Sequence, residues 1–405
     1  MKSVVFIETN RYGSSMEGMI TAGKLGYDVH LITAKKRYLE ERIPELNAVH
    51  FIADLKEENL KKTITEIKRE KDVSLIISFV DPFVSLAAKM NRFFCGGNID
   101  NGALSIMENK ILFRSHLSRL QYSPNYDIIH DHTPLNSLYI KLKESYPIVL
   151  KSPSSSGSRD VYFIHSETHL KNRIKFLKRK KPNEDLLIEE YLEGPQYIVE
   201  AIVYNGEIQI AAIIEQEITK QFKFIVTGYS ISPIMDKEAV DGIVEVTKAI
   251  LEELKLENGN CHLELRNVNG TWKLVEINPR ISGGPVNNLI EHAYGFNYTE
   301  QIINLYMGKK PVIESQWNHF VHAHLFTVDQ VGKLVKMTGL EEAQKAQGII
   351  DIFIRAEPGQ ILSPPLSMGH RYGYVIAKGR TKDEARSLAL SASKKVKFEL
   401  APYNG

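Results

Sequence analysis

Cysteine and tryptophan are scarce in this 405-residue chain, at two residues each. Cys95 and Cys261 are too few for a disulfide framework, which fits a reducing, cytoplasmic compartment. An excess of charge of one sign is also missing. Lysine and arginine number 51 against 49 acidic residues, a net +2, so no global field recruits nucleic acid or an anionic membrane. No apolar run approaches the ~20 residues of a membrane span. The four apolar residues Val4–Ile7, ended by Glu8, are too short for a signal h-region. What is present is 43% hydrophobic and 25% charged residues, the balance of a soluble globular enzyme-like chain. Disorder, collagen and coiled coil are excluded, and the length predicts two or three domains.

The first ninety residues alternate short apolar runs with amphipathic segments. Val4–Ile7 reads as a buried strand, Arg11–Ser15 as a loop, Met16–Leu25 as a helix closed by Gly26, and Val29–Thr33 as a second strand. Leu60–Lys71 reads as a charged helix and Leu75–Val80 as a strand. This alternation predicts an α/β parallel sheet with crossover helices. Gly13-Ser14-Ser15 is either an ordinary strand-to-helix turn or a substrate-facing loop offering backbone amides. Glycines around Cys95–Gly97 and at Asn101-Gly102 mark a domain boundary. A helix is expected over Ile106–Leu120, a strand over Tyr146–Lys151, and a basic, solvated helix face over Lys171–Lys181. Strands follow at Leu186–Glu190, Tyr197–Tyr204 and Ile208–Glu215, the last two joined by an Asn205-Gly206 turn. Residues 237–255 form a strong helical pattern. Beyond residue 310, strands are expected near 320–327, 350–356 and 372–378, then a helix at Lys382–Lys395. Arg355, His370 and Arg371 in that tail could reach the pocket, but are read first as surface or domain-packing residues.

The most informative stretch is Cys261–Arg280, CHLELRNVNGTWKLVEINPR. Leu263, Leu265, Val275 and Ile277 make one alternating set; His262, Glu264, Arg266, Glu276, Asn278 and Arg280 make the other. A two-residue turn at Asn269-Gly270 sets Glu264 and Glu276 on opposite faces and buries charge, because a one-residue slip flips every side chain. A three-residue loop, Asn269-Gly270-Thr271, with Gly270 left-handed, places Glu264 opposite Glu276 and His262 opposite Asn278. Their Cβ atoms are then roughly 4.5–5.5 Å apart. That register is the expectation. Two adjacent carboxylates repel, and a divalent cation relieves the repulsion. Glu264, Glu276 and the Asn278 amide are hard oxygen donors suited to Mg²⁺, whereas zinc-type spacing is absent. Ser282-Gly283-Gly284 supplies a backbone-exposing turn beside Arg280.

Lys151 ends a predicted strand and leads into Ser152–Ser158, whose small residues can fold their amides over phosphate oxygens. The P-loop ending is missing. Leu187–Tyr197 is an apolar strand running into Gly194-Pro195, able to present backbone groups to an adenine edge. In order, Lys110, Lys151 with its loop, Glu189-Glu190-Tyr191-Leu192-Glu193-Gly194-Pro195, Glu264 and Glu276-x-Asn278-Pro279-Arg280 resemble the ATP-grasp carboxylate–amine ligases over roughly residues 1–310. The Cys-His-x-Glu-x-Arg and Glu-Ile-Asn-Pro-Arg-x-x-Gly-Gly pair looks most like the L-amino-acid ligase branch, which makes dipeptides and related amides.

The resemblance implies an ATP-grasp fold: a Rossmann-like domain at 1–95, the ATP-grasp domain at 96–310 with a lid at about 110–190, and a C-terminal α+β region at 311–405. It implies that Lys110 and Lys151 hold ATP phosphates under Ser154, Ser155, Ser156, Gly157 and Ser158. Glu189, Glu190, Tyr191 and Leu192 would line the adenine hinge, with Gln196 at the ribose in place of the glutamate common in related enzymes. Glu264, Glu276 and Asn278 would bind two Mg²⁺ ions, with Mn²⁺ as a substitute, Glu276 bridging them. Arg280 would steady the carboxylate and its acyl phosphate beside Gly283 and Gly284, and His262 is either a general base or support for a metal ligand. Asp160, before Val161, is expected to point to solvent, and Phe222–Pro233 to line the substrate pocket without the expected histidine.

The implied activity is ADP-forming: a carboxylate, an L-amino acid's, is activated as an acyl phosphate and joined to an amine. One alternative passes the acyl group to an acyl-carrier-protein thiol or a natural-product amine; another is a nucleotide-binding protein without turnover. A homodimer is the expected assembly on general grounds.

Overall fold

The computed structural model describes residues 1–155, 157, 159–219 and 224–403. Ser156, Ser158 and Phe222 lie outside the described residues. Among the described residues the strands gather in four sheets. The first is parallel, in the order Ala48–Phe51, Asp28–Thr33, Lys2–Ile7, Asp72–Ile77. Its strands are continuous apolar runs because both faces are covered. Val4, Phe6, Leu31, Leu75 and Ile77 enter the main core, while Val5, Ile7, Ile32 and Ile76 pack on Leu60, Ile64 and Ile67 of the helix Glu57–Glu70. The carboxyl ends of these strands face the cavity described below, the ordinary position for a ligand crevice in an open α/β sheet.

A second, antiparallel sheet has the order Tyr126–Ile129, Leu186–Glu190, Ile148–Lys151, Val161–Ile164. It is backed by the basic helix Glu167–Lys180 and has its own core of Leu150, Ile164, Leu170, Ile174, Leu177, Leu186 and Ile188. The third sheet has eight antiparallel strands and carries the hairpin Gly259–Val268 / Thr271–Asn278 at one edge and Ile349–Ile354 at the other. The tail strands Phe320–Leu325 and Gly373–Gly379 therefore extend the sheet that holds the metal-type hairpin. A small sheet of Ile361–Leu362, Gly332–Thr338 and Lys397–Pro402 completes the C-terminal region. The architecture is mixed α/β, a parallel sheet at the N-terminus and antiparallel sheets after it, as the resemblance implies. No helix among the described residues is long and apolar enough to cross a membrane.

Three local expectations are corrected. The helix expected over Ile106–Leu120 is two helices, Asn101–Glu108 and Lys110–His116. They break at Asn109, whose side chain accepts from the Ile111 and Leu112 amides at 3.0 and 3.1 Å. An internal N-cap thus outweighs the apolar periodicity, and Lys110 becomes the first residue of a helix. The hairpin Gly259–Val268 / Thr271–Asn278 turns at Asn269-Gly270, two residues with φ of 51° and 87°, and not through a three-residue loop. The expected pairing survives because a β-bulge between Glu264 and Leu265 shifts the register: Val268 faces Thr271 and Leu265 faces Leu274, but Glu264 faces Glu276 and His262 faces Asn278. The bulge leaves Leu274 in the core and turns Val275 to the cavity. Strands Ala48–Phe51, Gly332–Thr338 and Lys397–Pro402 have no counterpart in the expectations; each is only partly buried, so alternation does not announce it.

Candidate active site

A cavity of about 910 Å³ opens where the parallel sheet, the second sheet and the large sheet meet. Its wall includes most of the polar hairpin face, His262, Glu264, Arg266, Glu276, Asn278 and Arg280, together with Lys110, Lys151, Ser154, Ser155, Gly157, Glu189, Tyr191, Leu192 and Gln196. Gly283 and Gly284 line its other end beside Gly13. A Cβ on Gly13 would lie 3.7 Å from the Gly284 amide nitrogen, so the Gly13-Ser14-Ser15 loop borders the cavity.

Lys110 Nζ lies 2.9 Å from Glu276 Oε1 and donates to the Ser155 carbonyl at 3.2 Å, joining the hairpin to the serine loop. Lys151 Nζ is paired with Glu189 Oε2. The other Glu189 oxygen accepts from Arg114 Nε at 2.7 Å, and Arg114 also donates to the carbonyls of Leu274 and Val275 at 3.0 and 2.8 Å. Arg114 is fully buried and Glu189 is 4% exposed. Burial works to raise the Glu189 carboxyl, but Arg114 and Lys151 outweigh it and hold the group below the usual range. The Glu189 side chain thus anchors Lys151 in the cavity wall. Glu190 also lines the cavity, and its carboxylate accepts from the Asn125 backbone amide at 3.0 Å. Tyr191 does face the cavity, stacked on Phe224 with centroids 5.7 Å apart, and Arg266 binds the Leu192 carbonyl. Gly194 is required at that bend: a Cβ there would meet the Asn267 carbonyl oxygen at 1.8 Å.

The serine loop is tied down by residues the motif did not include. Ser152 Oγ donates to Glu184 at 2.5 Å, and Lys181 Nζ donates to Ser152 and Ser154 hydroxyls at 2.9 and 2.5 Å. The end of the basic helix therefore reaches the loop instead of serving only as a solvated face. Asp160 is buried and paired with Lys180 at 2.8 Å, which corrects its expected exposure.

Glu264 and Glu276 face each other across the hairpin. Burial, then the Glu276 charge, pushes the Glu264 carboxyl above its ordinary range. Burial also opposes ionisation of Glu276, but Lys110 and Lys151 hold it below. Gln196, in the cavity wall, donates through its amide to Glu264 Oε2 at 2.9 Å and to Gln216 at 2.7 Å, and accepts from Arg266 at 2.7 Å. His262 is engaged at both ring nitrogens. Nδ1 donates to the Arg280 carbonyl at 2.7 Å, and Nε2 accepts from Asn278 Nδ2 at 3.2 Å. Burial and the Arg280 charge push its pKa down to about 4, so the ring is neutral. Its two contacts tie the Asn278 side chain to the Arg280 backbone.

Among the described residues no group of three or more His, Cys, Asp and Glu is placed to hold a metal. Two carboxylates and one amide oxygen, with burial and the neighbouring carboxylate opposing ionisation of Glu264, fit a hard cation that keeps waters and takes phosphate oxygens. Mg²⁺ fits this set.

Arg280 donates through Nε to Asp81 Oδ2 at 2.8 Å and through Nη1 to the Ile281 carbonyl at 3.1 Å. Asp81 follows a strand of the parallel sheet, so the N-terminal region orients the arginine. Sequence reasoning missed Asp81, Arg114 and Lys181. Arg114 lies four residues after Lys110, a spacing that puts both on one helix face and could have found it. An aspartate beyond a strand's carboxyl end was a weaker signal for Asp81.

Residues 144–288 match the family model of the ATP-grasp domain, and residues 324–401 match L-amino acid ligase C-terminal domain 2. The chain thus carries both domains, and the resemblance drawn from its motifs to ATP-grasp carboxylate–amine ligases of the L-amino-acid ligase type holds. Among curated relatives, it is 22% identical over 243 residues to dapdiamide A synthase of Enterobacter agglomerans, covering 57% of each chain. It is 22% identical over 227 residues to the L-arginine-specific L-amino acid ligase of Bacillus subtilis, covering 54% of each. The match thus spans little more than half the length of these relatives. The crystal structure of an L-amino acid ligase from Bacillus licheniformis superposes with a TM-score of 0.83 at 18% identity, covering 99% of both chains, which establishes the shared fold.

Proposed function

We propose that this chain is an ATP-dependent, ADP-forming carboxylate–amine ligase that activates an L-amino acid as its acyl phosphate and transfers the acyl group to an amine. The observation that carries the reading is the convergence, in one cavity, of Lys110 and Lys151 on a Glu264–Glu276–Asn278 set with Arg280 braced beside it. Lys110 and Lys151 neutralise phosphate charge as the γ-phosphoryl group leaves ADP; such transfer is mostly positioning and electrostatics. Glu264, Glu276 and Asn278 would hold Mg²⁺, which would supply positive charge to offset that of the transferring phosphoryl group. Arg280 orients the substrate carboxylate, whose oxygen bonds to the γ-phosphorus. The amine nitrogen then bonds to the carbonyl carbon, the C–O bond breaks, and phosphate departs with one former carboxylate oxygen; the amine loses its proton. Arg280 is also placed to stabilise the tetrahedral intermediate. The Gly157 carbonyl accepts from the Met368 amide at 3.1 Å, so the loop is bridged to the C-terminal region across the cavity, which helps exclude water from the acyl phosphate.

ADP release with Mg²⁺-ATP over a matrix of single and paired L-amino acids, with hydroxylamine in a parallel set, tests the reading. Hydroxamate from at least one amino acid and an ADP-coupled condensed product are expected. No hydroxamate with any amino acid would remove it.

A further inference from the structure

Arg371 is read from the sequence first as a surface or packing residue, with the pocket as the alternative. The structure puts it in the cavity wall, shortly before the strand Gly373–Gly379. Its Nη1 donates to the Tyr229 hydroxyl at 3.0 Å and its Nε to the Met368 carbonyl at 3.2 Å, which fixes the plane of the guanidinium. A Cβ on Gly284 would lie 4.0 Å from both Arg371 Nη2 and the Tyr229 ring, so the arginine stands over the glycine turn that follows Arg280. Among the described residues no carboxylate pairs with Arg371, and no hydrogen bond or ion pair joins it to Arg280, Lys110, Lys151, Glu264 or Glu276. Arg355, close enough for its charge to be disfavoured by burial and then by Arg371, adds a second cation, while Glu357 is paired with Arg11 at 3.0 Å. A fixed cation with an unused donor edge, in a cavity and without a counter-charge, is matched by an anionic group of a ligand.

We propose that Arg371 is a specificity-determining residue for the second substrate: its free guanidinium edge takes a carboxylate carried by the amine that attacks the acyl phosphate. The inference rests on the ligase reading and deepens it. The carboxylate to be activated has its own partner in Arg280, beside the lysines and the hairpin carboxylates. Arg371 lies apart from that cluster, on a segment of the C-terminal region, so an amine reaching past the glycine turn meets it with its own acid group. A carrier-protein thiol or an uncharged amine leaves the cation unmatched.

The test separates activation from transfer. Wild type, Arg371→Lys and Arg371→Gln are assayed for hydroxamate formation from the twenty L-amino acids. They are then assayed for condensation of the activated donor with free amino acids and with the corresponding amino-acid carboxamides. Thermal melting of each variant checks that it is folded. Arg371→Gln removes one charge-assisted hydrogen bond to the acceptor, so its KM for the amino-acid acceptor is expected to rise about 10–100-fold at similar kcat. Hydroxamate formation is retained, Arg371→Lys falls between, and the wild-type preference for acids over carboxamides collapses. Equal loss of hydroxamate formation assigns Arg371 to the donor and overturns the inference. So does an unchanged acceptor KM, a wild type that uses carboxamides as well as acids, or hydroxamate with no amino-acid acceptor at all. A wild type silent toward hydroxylamine overturns the ligase reading itself, a distinct result.

Discussion

Replacing Glu189 by Gln keeps the shape of the side chain and removes one charge from between Arg114 and Lys151. Two buried cations are then left facing each other without a counter-ion. Breaking a buried ion pair in this way costs about 3–5 kcal/mol. Arg114 keeps the Leu274 and Val275 carbonyls, which argues for the lower end, about 3 kcal/mol. For a cooperative unit of 150–250 residues, 1 kcal/mol moves Tm by about 2–4 °C, so a fall of roughly 6–12 °C is expected. Circular dichroism melting of wild type and Glu189→Gln measures it, and repeating the melts with Mg²⁺-ATP shows whether nucleotide stabilisation weakens once Lys151 loses its anchor. Because the Glu189 carboxyl lies below its ordinary range, its contribution is full above the unfolded pKa near 4.3 and is lost as pH falls through the folded value. The Tm difference should therefore shrink in acid. A Tm within about 2 °C of wild type at pH 7 would refute the anchoring role.

Glu276→Gln removes the partner of Lys110 and a proposed cation ligand while preserving shape, so ADP release should fall to background with an unchanged circular dichroism spectrum; activity within a few-fold of wild type would end the metal assignment. His322 is fully buried, bound through Nδ1 to Ser230 at 2.8 Å. Burial, then His324, Arg386 and Lys382, push its pKa down to about 3, while Glu217 is the acid facing His324. The unfolded chain binds a proton that the folded one refuses, so stability should decline as pH drops below about 6.5 and continue to decline toward the folded value. Urea midpoints at pH 7, 5.5 and 4.5 for wild type and His322→Gln check this, and identical pH slopes would count against it.

The parallel sheet was legible because buried strands are continuous apolar runs separated by helices, and the Asn205-Gly206 hairpin because its turn demands positive φ, which both residues adopt. The Glu264–Glu276 pairing was legible from the need to keep charges off the apolar face, although the device that achieves it, a bulge, leaves no pattern of its own. Side-chain partnerships were less accessible. Glu189 and Gln196 sit at motif positions, but their contacts come from Arg114, Arg266 and Gln216, which only the packed sheets bring near. Arg371 is legible as a tail arginine within possible reach of the pocket, but only the place of Gly373–Gly379 in the large sheet sets it over Gly284.

Transfer of ¹⁸O from the carboxylate tests the central claim most directly. The donor found in the hydroxamate screen is labelled in its carboxylate oxygens and turned over with Mg²⁺-ATP and the acceptor, and the phosphate released is analysed by mass spectrometry. An acyl phosphate intermediate places one ¹⁸O in inorganic phosphate for each amide formed. Amide formed with unlabelled phosphate would contradict the account.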